Sequence, residues 1–205
     1  MIGRWRQAPV TMALLAAIAG VFVIETLAGG STDGAVLARL GANVPPLVRA
    51  GEWWRLLTAL FLHIGIVHLL LNGWALLQLG GLFEAWLGSA QLAVVYLASG
   101  VCGSLASLFF MRGDLSAGAS GAIFGLLGAL IGFLLRRRDR LRPEAKQLLA
   151  QLVAWAAINV VFGLTTPGID NAGHLGGAAA GFVQGLRLRP RWERRAPQPS
   201  DTMEA

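Results

Sequence analysis

The capacity of this sequence for hydrolytic chemistry rests on one serine and a few histidines. Ser120 stands in the tetrapeptide Gly118-Ala119-Ser120-Gly121, and the chain has three histidines, His63, His68 and His174. A serine hydroxyl attacks a carbonyl carbon only when a base accepts its proton and donors stabilise the developing oxyanion. The residue types therefore allow nucleophilic hydrolysis, with Ser120 as nucleophile and a histidine as base. The tetrapeptide does not match the elbow of soluble hydrolases, which is Gly-x-Ser-x-Gly between a strand and a helix.

Donors for an oxyanion are also present. Asn72 follows His68 by four residues, which places both side chains on one face of a helix. The Asn72 amide and a ring nitrogen of His68 can each donate a hydrogen bond. Ser120 begins a predicted helix, where free backbone N–H groups and the positive end of the helix dipole favour an anion. His174 is then the remaining histidine in a suitable segment to act as base.

The composition indicates that these residues lie in a membrane. Of the 205 residues, 55% are hydrophobic and 14% are charged, and the mean hydropathy is +0.60. A soluble domain of this size needs a more charged surface, and about 20 apolar residues span a hydrocarbon core. We predict an all-α polytopic membrane protein with six transmembrane helices. The predicted spans are 9–28, 56–79, 90–111, 117–135, 147–165 and 170–187.

These spans divide the chain into three predicted segments. Residues 1–8 form a cytosolic N-terminus and residues 9–188 form the six-span core. Residues 189–205, rich in Pro, Arg and acidic side chains, form a disordered cytosolic tail. The long connection between the first two spans contains Trp53 and Trp54, an aromatic pair typical of a segment at the membrane interface.

Basic residues predict the orientation of the spans. The formal net charge is +6, and most basic residues flank apolar segments. With the N-terminus inside, the cytosolic segments carry two, six and five basic residues against four outside, so both termini are predicted to be cytosolic. This placement indicates topology, and we expect no nucleic-acid partner. We expect the bacterial plasma membrane, since the six-span core has no added domain and is rich in Arg and Ala.

The candidate residues are predicted to lie at one depth. Ser120 is 16 residues before Arg136, and His174 is 13 residues before Arg187. At about 1.5 Å per residue, these separations place both side chains roughly 20–24 Å from the cytosolic ends, toward the outer face. The histidine–asparagine pair of the second span falls in the same layer. Polar groups at membrane depth are costly, so this shared layer indicates a functional site.

Glycine stripes predict which spans touch. The stripe on the fourth span follows a three-four spacing, and the stripe on the sixth recurs every four residues. The two sets are Gly118, Gly121, Gly125, Gly128 and Gly132, and Gly173, Gly177, Gly181 and Gly185. Small residues at these spacings let helix backbones approach closely, which would bring Ser120 and His174 together. Composition leaves open the alternative that these glycines only pack helices and that a polar contact between Ser120 and His174 only helps to hold the two helices together.

Two polar residues precede His174. Asp170, four residues earlier, could orient the imidazole as the acid of a triad, but a loop residue at the water boundary is the favoured interpretation. Asn171 is expected to tie down the loop or the cap of the sixth span.

Four motifs resemble those of the rhomboid family of intramembrane serine proteases. They are Trp54-Arg55, His63-x4-His68-x3-Asn72, Gly118-Ala119-Ser120-Gly121 and Asn171-Ala172-Gly173-His174-x2-Gly177. They occur in the family's order, each in the corresponding span. The resemblance covers roughly residues 50–185, and an extra first span is usual for the six-span form.

The resemblance implies a rhomboid-like bundle and a serine endopeptidase that uses a Ser120–His174 dyad without a carboxylate. Asn72, His68 and the backbone N–H of Ser120 would hold the oxyanion. Phe124 matches an aromatic position, often tyrosine in relatives, that packs under the catalytic histidine. The other supporting positions are His63, a structural histidine, with Gly118, Gly121 and Asn171.

The resemblance also implies what the protein would bind. Its substrates would be single-span transmembrane proteins, cut near the outer face, and the lipid bilayer would be its other partner. Because a peptide bond in a stable helix is poorly accessible, the substrate must unwind locally. No cofactor or metal is expected. Cys102 is the only cysteine, which excludes an internal disulfide, and we expect a packed thiol.

Three other functions are compatible with parts of the pattern. A catalytically dead relative could bind membrane clients, although such proteins usually lose the serine or the histidine. A transporter or channel would explain polar residues in the membrane but not a glycine-flanked serine beside oxyanion donors. The three histidines could bind zinc, yet no carboxylate or thiol clearly shares their layer.

Overall fold

The part of the chain that the structure describes folds into ten α-helices. The computed structural model describes residues 8–111 and 113–194. The helices are α1 (Pro9–Leu27), α2 (Gly34–Leu40), α3 (Pro45–Arg49), α4 (Arg55–Thr58), α5 (Gly65–Leu87), α6 (Ser89–Phe110), α7 (Ser120–Arg136), α8 (Pro143–Thr165), α9 (Asn171–Gly185) and α10 (Arg191–Arg194). Most of the predicted N-terminal segment (1–7) and of the predicted tail (195–205) lies outside the described residues. The described part of that tail contains α10.

Helix length and apolar character support a membrane bundle. Helices α1, α5, α6 and α8 are each long and apolar enough to cross a bilayer. Helix α7 is apolar but has 17 residues, and α9 has 15. The protein is therefore an all-α polytopic membrane protein. That it has six membrane spans stays a prediction.

Five predicted spans match helices to within a few residues, but the second does not. The predicted span 56–79 is wrong, because α5 runs from Gly65 to Leu87. The apolar residues before Gly65 form α4, a 3-10 turn over Ala59–Phe61 and an extended residue, Leu62. At the other end the helix continues through Gly80, where a Cβ would lie 2.8 Å from the Thr11 hydroxyl of α1.

Helix α7 is the centre of the bundle, since 12 of its 17 residues are buried. It packs closely against α9 through the two predicted glycine stripes. A Cβ on Gly177 or Gly181 would overlap the carbonyl group of Gly121 or Gly125, respectively. The two backbones therefore touch, which is how small-residue stripes hold membrane helices together.

A buried carboxylate joins α1 to α5. Glu84, near the end of α5, accepts hydrogen bonds from the backbone N–H groups of Val10 (3.0 Å) and Thr11 (2.9 Å). It also accepts one from the Thr11 hydroxyl (2.8 Å). These bonds satisfy N–H groups in the first turn of α1, which have no partner within their own helix.

The connection between α1 and α5 is ordered around Arg55. Its guanidinium donates to the carbonyl oxygens of Ala38 and Ala42 and to the carboxylate of Glu52. It also lies 4.6 Å from the centre of the Trp54 ring. Arg55 is only 5% exposed, so it holds this loop together from inside.

Candidate active site

Ser120 is the first residue of α7, at the end of a firmly held loop. Ser116 and Asn43 exchange two backbone hydrogen bonds of 2.9 Å. Two residues later, the N–H of Gly118 donates to the Ala59 carbonyl at 2.9 Å. Both anchors lie within four residues of Ser120. The first N–H groups of a helix lack intrahelical partners, so the Ser120 N–H can bind an anion.

His174 lies in the first turn of α9, directly against Ser120. Its Nε2 is 2.8 Å from the Ser120 Oγ, and both side chains are half-buried. The imidazole stacks on the Phe124 ring, with centroids 4.3 Å apart and 6° between the planes. Phe124 is one helical turn after Ser120, so α7 supplies both the hydroxyl and the surface that orients the imidazole. This arrangement allows Nε2 to accept the proton of Ser120.

His68 lies beside the loop that leads to Ser120. A Cβ on Gly118 would lie 2.7 Å from the His68 Cε1 and 2.9 Å from its Nε2. Gly118 has a φ of +145°, which favours glycine, and the missing side chain makes room for the imidazole. The N–H of Ile64 donates to the His68 Nδ1 at 3.3 Å. Because this bond needs an unprotonated Nδ1, neutral His68 carries its proton on Nε2, next to the loop.

Asn72 lies one turn after His68 on the same face of α5. It is 6% exposed, and its Nδ2 donates to the His68 carbonyl oxygen at 3.0 Å. An amide NH2 group has two N–H donors, so this bond uses one of them. The backbone N–H of Ser120, the Nε2–H of His68 and the second N–H of Asn72 are therefore candidate donors for an oxyanion.

Comparison with known proteins identifies the family to which this fold and this site belong. The family model for the Rhomboid domain matches residues 50–191. That range contains α5 to α9 and every residue of the candidate site. The chain belongs to the rhomboid family.

Relatives of this rhomboid occur in distant organisms. It is 43% identical to Rhomboid protease GluP of Bacillus subtilis (strain 168) over 169 residues, or 82% of this chain and 32% of the relative. It is 39% identical to RHOMBOID-like protein 4 of Arabidopsis thaliana over 154 residues, or 74% of this chain and 39% of the relative. It is 32% identical to Rhomboid-like protease 2 of Toxoplasma gondii over 188 residues, covering 84% of this chain and 65% of the relative. The chain thus spans from a third to two thirds of the length of these relatives.

The remaining histidine of this rhomboid, His63, is fully buried in front of α5. Its ring Nδ1 lies 3.3 Å from the Phe61 carbonyl oxygen, and its ring centroid is 5.2 Å from that of His68. Burial, and secondarily the neighbouring His68, lowers the pKa of His63 to about 4. Its backbone N–H donates to the buried carboxylate of Glu25 on α1 (2.9 Å). Among the described residues, no hydrogen bond or ring stacking joins the His63 side chain to Ser120 or His174, so a structural role for His63 stays a prediction.

Asn171 and Gly121 support the packing around the dyad. Asn171 is the first residue of α9, and its Oδ1 lies where a Cβ on Gly163 of α8 would be. The cap of α9 is made by Asp170 rather than by Asn171, because the Asp170 carboxylate accepts from the Gly173 N–H. Gly121 lets the backbone of α9 approach α7 just after the nucleophile candidate.

Asp170 lies in the loop directly before α9, as the favoured interpretation expected, and not at the imidazole as a triad acid would. Its carboxylate bonds Gly173, Ser107 and Ser116 instead of the His174 imidazole. The Nδ1 of His174 is buried and has no hydrogen-bond partner among the described residues. Among the described residues, Ser120 and His174 are therefore paired without a carboxylate bonded to the imidazole, and Asp170 is a loop residue that caps α9 and binds two serine hydroxyls.

Two further features near the dyad were missing from the sequence analysis. Trp155 of α8 stacks on Phe124, with ring centroids 6.1 Å apart and 30° between planes. Ser107 of α6 lies 63 residues before Asp170, to which it donates. A sequence signal existed for Trp155, an aromatic residue in the middle of a predicted span. Nothing in the spacing of Ser107 connects it to the sixth span.

Cysteine and metal chemistry can be assessed for the described residues. The expectation of a packed thiol is wrong, since Cys102, on α6, is exposed. Within residues 8–111 and 113–194, no three His, Cys, Asp or Glu side chains are grouped closely enough to hold a metal ion.

Proposed function

We propose that this rhomboid is a serine endopeptidase that hydrolyses peptide bonds in or near the transmembrane segments of membrane proteins. One observation carries the proposal: the 2.8 Å contact between the His174 Nε2 and the Ser120 Oγ at the start of a helix. A hydroxyl bonded to an imidazole and placed beside backbone donors is the arrangement that activates serine for acyl transfer. Relatives named as proteases support the same reaction.

The reaction would proceed in two steps of acyl transfer. Nε2 of His174 accepts the proton of Ser120 while Oγ forms a bond to the carbonyl carbon of the substrate. His174 then gives this proton to the leaving amine as the peptide C–N bond breaks, which leaves an ester on Ser120. A water molecule, deprotonated by His174, attacks the ester. His174 returns the proton to Oγ, and the new carboxyl end is released.

The oxyanion of each tetrahedral intermediate would be held by donors from two helices. Helix α7 supplies the N–H of Ser120, and α5 supplies the Nε2–H of His68 and the amide of Asn72. The Ile64 contact supports the required tautomer of His68. Preorganised donors of this kind lower the barrier without rearrangement during the reaction.

The proposed substrates are single-span transmembrane proteins, and the bilayer is the medium in which they arrive. A substrate helix keeps its backbone groups bonded internally in lipid, so the scissile segment must unwind to reach Ser120. The half-buried state of Ser120 and His174 is compatible with access for an extended segment and for water.

We further propose that the site faces the outer side of a bacterial plasma membrane and that both termini are cytosolic. The excess of basic residues at the opposite end of the bundle supports this orientation. Ser120 begins α7, whereas Arg136, Arg137 and the basic turn that follows lie at its other end.

The proposal is tested by cleavage in reconstituted membranes. Purified protein in liposomes is mixed with a single-span substrate whose fragments are separated by mass. Wild type should cleave it, Ser120→Ala should not, and Ser31→Ala, in the connection between α1 and α2, should cleave as wild type does. Cleavage by a folded and inserted Ser120→Ala variant would disprove the assigned nucleophile.

A further inference from the structure

The carboxylate of Asp170 is a junction of three segments. Oδ1 accepts from the N–H of Gly173 at 2.9 Å, in the first turn of α9. Oδ2 accepts from the hydroxyl of Ser116 at 2.7 Å and from the hydroxyl of Ser107 on α6 by a short hydrogen bond. One side chain thus joins α6, α9 and the loop between α6 and α7.

Two of these segments carry the two halves of the dyad. Ser116 is four residues before Ser120, in the loop that sets the start of α7. Gly173 directly precedes His174, whose own N–H donates to the Asp170 carbonyl oxygen at 3.1 Å. A displacement of Asp170 would therefore move both the loop of the nucleophile and the helical turn of the base.

The packing around Asp170 leaves little space for alternative arrangements. Ser107 is 2% exposed, and its hydroxyl also lies 3.1 Å from the Gly103 carbonyl oxygen. A Cβ on Gly103 would lie 2.7 Å from the Gly173 carbonyl oxygen, so α6 and α9 touch at this level. Without Asp170 the Ser107 hydroxyl would keep only the Gly103 carbonyl oxygen as an acceptor, and the loss of a buried hydrogen bond is costly, so Asp170 stabilises this network.

We propose that Asp170 is a positioning residue, whose carboxylate fixes the distance between the Ser120 loop and the His174 turn without contacting the imidazole. The inference rests on the proposed function, in which the reaction depends on that distance. It differs from a triad acid, which would bond the Nδ1 of His174 and tune its basicity. It also differs from a simple cap, which would leave the loop of Ser120 unaffected.

The test measures the rate at which a fluorophosphonate labels Ser120, across a range of pH, in four variants. Asp170→Ala should label about 10- to 100-fold more slowly than wild type, the scale of a misplacement near 1 Å. Asp170→Asn keeps an acceptor for the Gly173 N–H but turns an N–H donor toward the hydroxyls of Ser107 and Ser116. Its labelling rate should therefore fall less than that of Asp170→Ala. Ser116→Ala should also be slowed. Asp139→Asn, at an exposed aspartate beyond the other end of α7, should label as wild type does.

The pH profile separates positioning from acid–base tuning. The carboxylate of Asp170 also acts on His174 through its charge, so a change of that charge alone can move the pH of half-maximal labelling. Ser116→Ala keeps the charge and removes one bond of the network, so its maximum rate should fall while the pH of half-maximal labelling stays constant. A wild-type maximum rate in Ser116→Ala, with only the pH of half-maximal labelling shifted in Asp170→Asn, would show that Asp170 acts through its charge and would overturn the proposal. Wild-type labelling rates in both Asp170→Asn and Ser116→Ala would overturn it as well, and these two milder variants decide the question if Asp170→Ala does not fold.

Hydrogen exchange provides a readout that needs no activity. In Asp170→Asn, amide exchange should rise together in peptides covering 114–121 and 170–176. A rise confined to 170–176 would show that Asp170 is a helix cap only. If wild type takes no label at Ser120, the proposed function fails, and the exchange data still decide whether Asp170 couples the two segments.

Discussion

The imidazole of His174 lies almost parallel to the Phe124 ring, with 4.3 Å between centroids and 6° between planes. Trp155 of α8 lies on Phe124 in turn, 6.1 Å between centroids. The imidazole of His174, the candidate base, therefore packs against a stack of aromatic rings. Phe124 of α7 lies between His174 of α9 and Trp155 of α8. Because the Nδ1 of His174 has no partner among the described residues, this stack and the Ser120 hydroxyl are the contacts that orient the ring.

The stack predicts the effect of shortening Phe124. Phe124→Leu should lower the labelling rate of Ser120 about 3- to 10-fold, since an aromatic contact contributes about 0.5–1.5 kcal/mol. Phe124→Tyr keeps the ring and should stay within about twofold of wild type. The rates are measured with a fluorophosphonate on folded protein. If Phe124→Leu labels at the wild-type rate, the Phe124 ring does not orient His174.

The close approach of His68 to Gly118 predicts a local effect of one methyl group. Gly118→Ala places a Cβ 2.7 Å from the imidazole and should displace it, lowering the labelling rate at least tenfold. Gly30→Ala is the control, because Gly30 also has a positive φ (+123°) but has nothing within 4 Å of the added Cβ. Both variants should lose about 1–3 kcal/mol of stability from backbone strain, and only Gly118→Ala should lose activity. Equal labelling rates would argue against a role for His68.

The position of Asn72 predicts a loss of oxyanion stabilisation. Asn72→Ala should lower the turnover rate of a membrane substrate by about 10- to 1000-fold, the scale of losing one donor. The substrate concentration for half-maximal rate should change little, because the donor acts in the transition state. An unchanged turnover rate would remove Asn72 from this role.

The contact between α7 and α9 predicts where added volume is not tolerated. Gly181→Val would force a side chain into the Gly125 carbonyl group, so the helices must separate and the thermal stability in detergent should fall clearly. Gly20→Val, on α1, adds the same side chain where nothing lies within 4 Å, and should change the melting temperature little. Similar losses in both variants would mean that the glycine contact is not decisive for stability.

The meeting of Ser120 and His174 was predictable because it follows from local spacing. Glycines three or four residues apart define one face of a helix, and two such faces can pack at backbone distance. Ser120 and His174 each begin such a face, so packing the faces brings the residues together. The position of Phe124 under His174 was predicted from the resemblance to the rhomboid family and not from spacing.

Other features depend on contacts that spacing does not encode. The start of α5 was misplaced because residues 56–64 are almost as apolar as the helix, and the turn at Gly65 depends on its φ of +79°. The role of Asp170 depends on Ser107 and Ser116, which are 63 and 54 residues away. Hydropathy reports the environment of a residue and not its partner, so these bonds appear only in the folded chain.

Active-site labelling tests the central claim, that His174 activates Ser120, most directly. The purified protein is treated with a fluorophosphonate, and the modified residue is identified by mass spectrometry, which requires no knowledge of the substrate. The account predicts a single modification at Ser120 that disappears in His174→Ala while the variant stays folded. A folded wild-type protein that takes no label, or a Ser120 label that persists without His174, would contradict it.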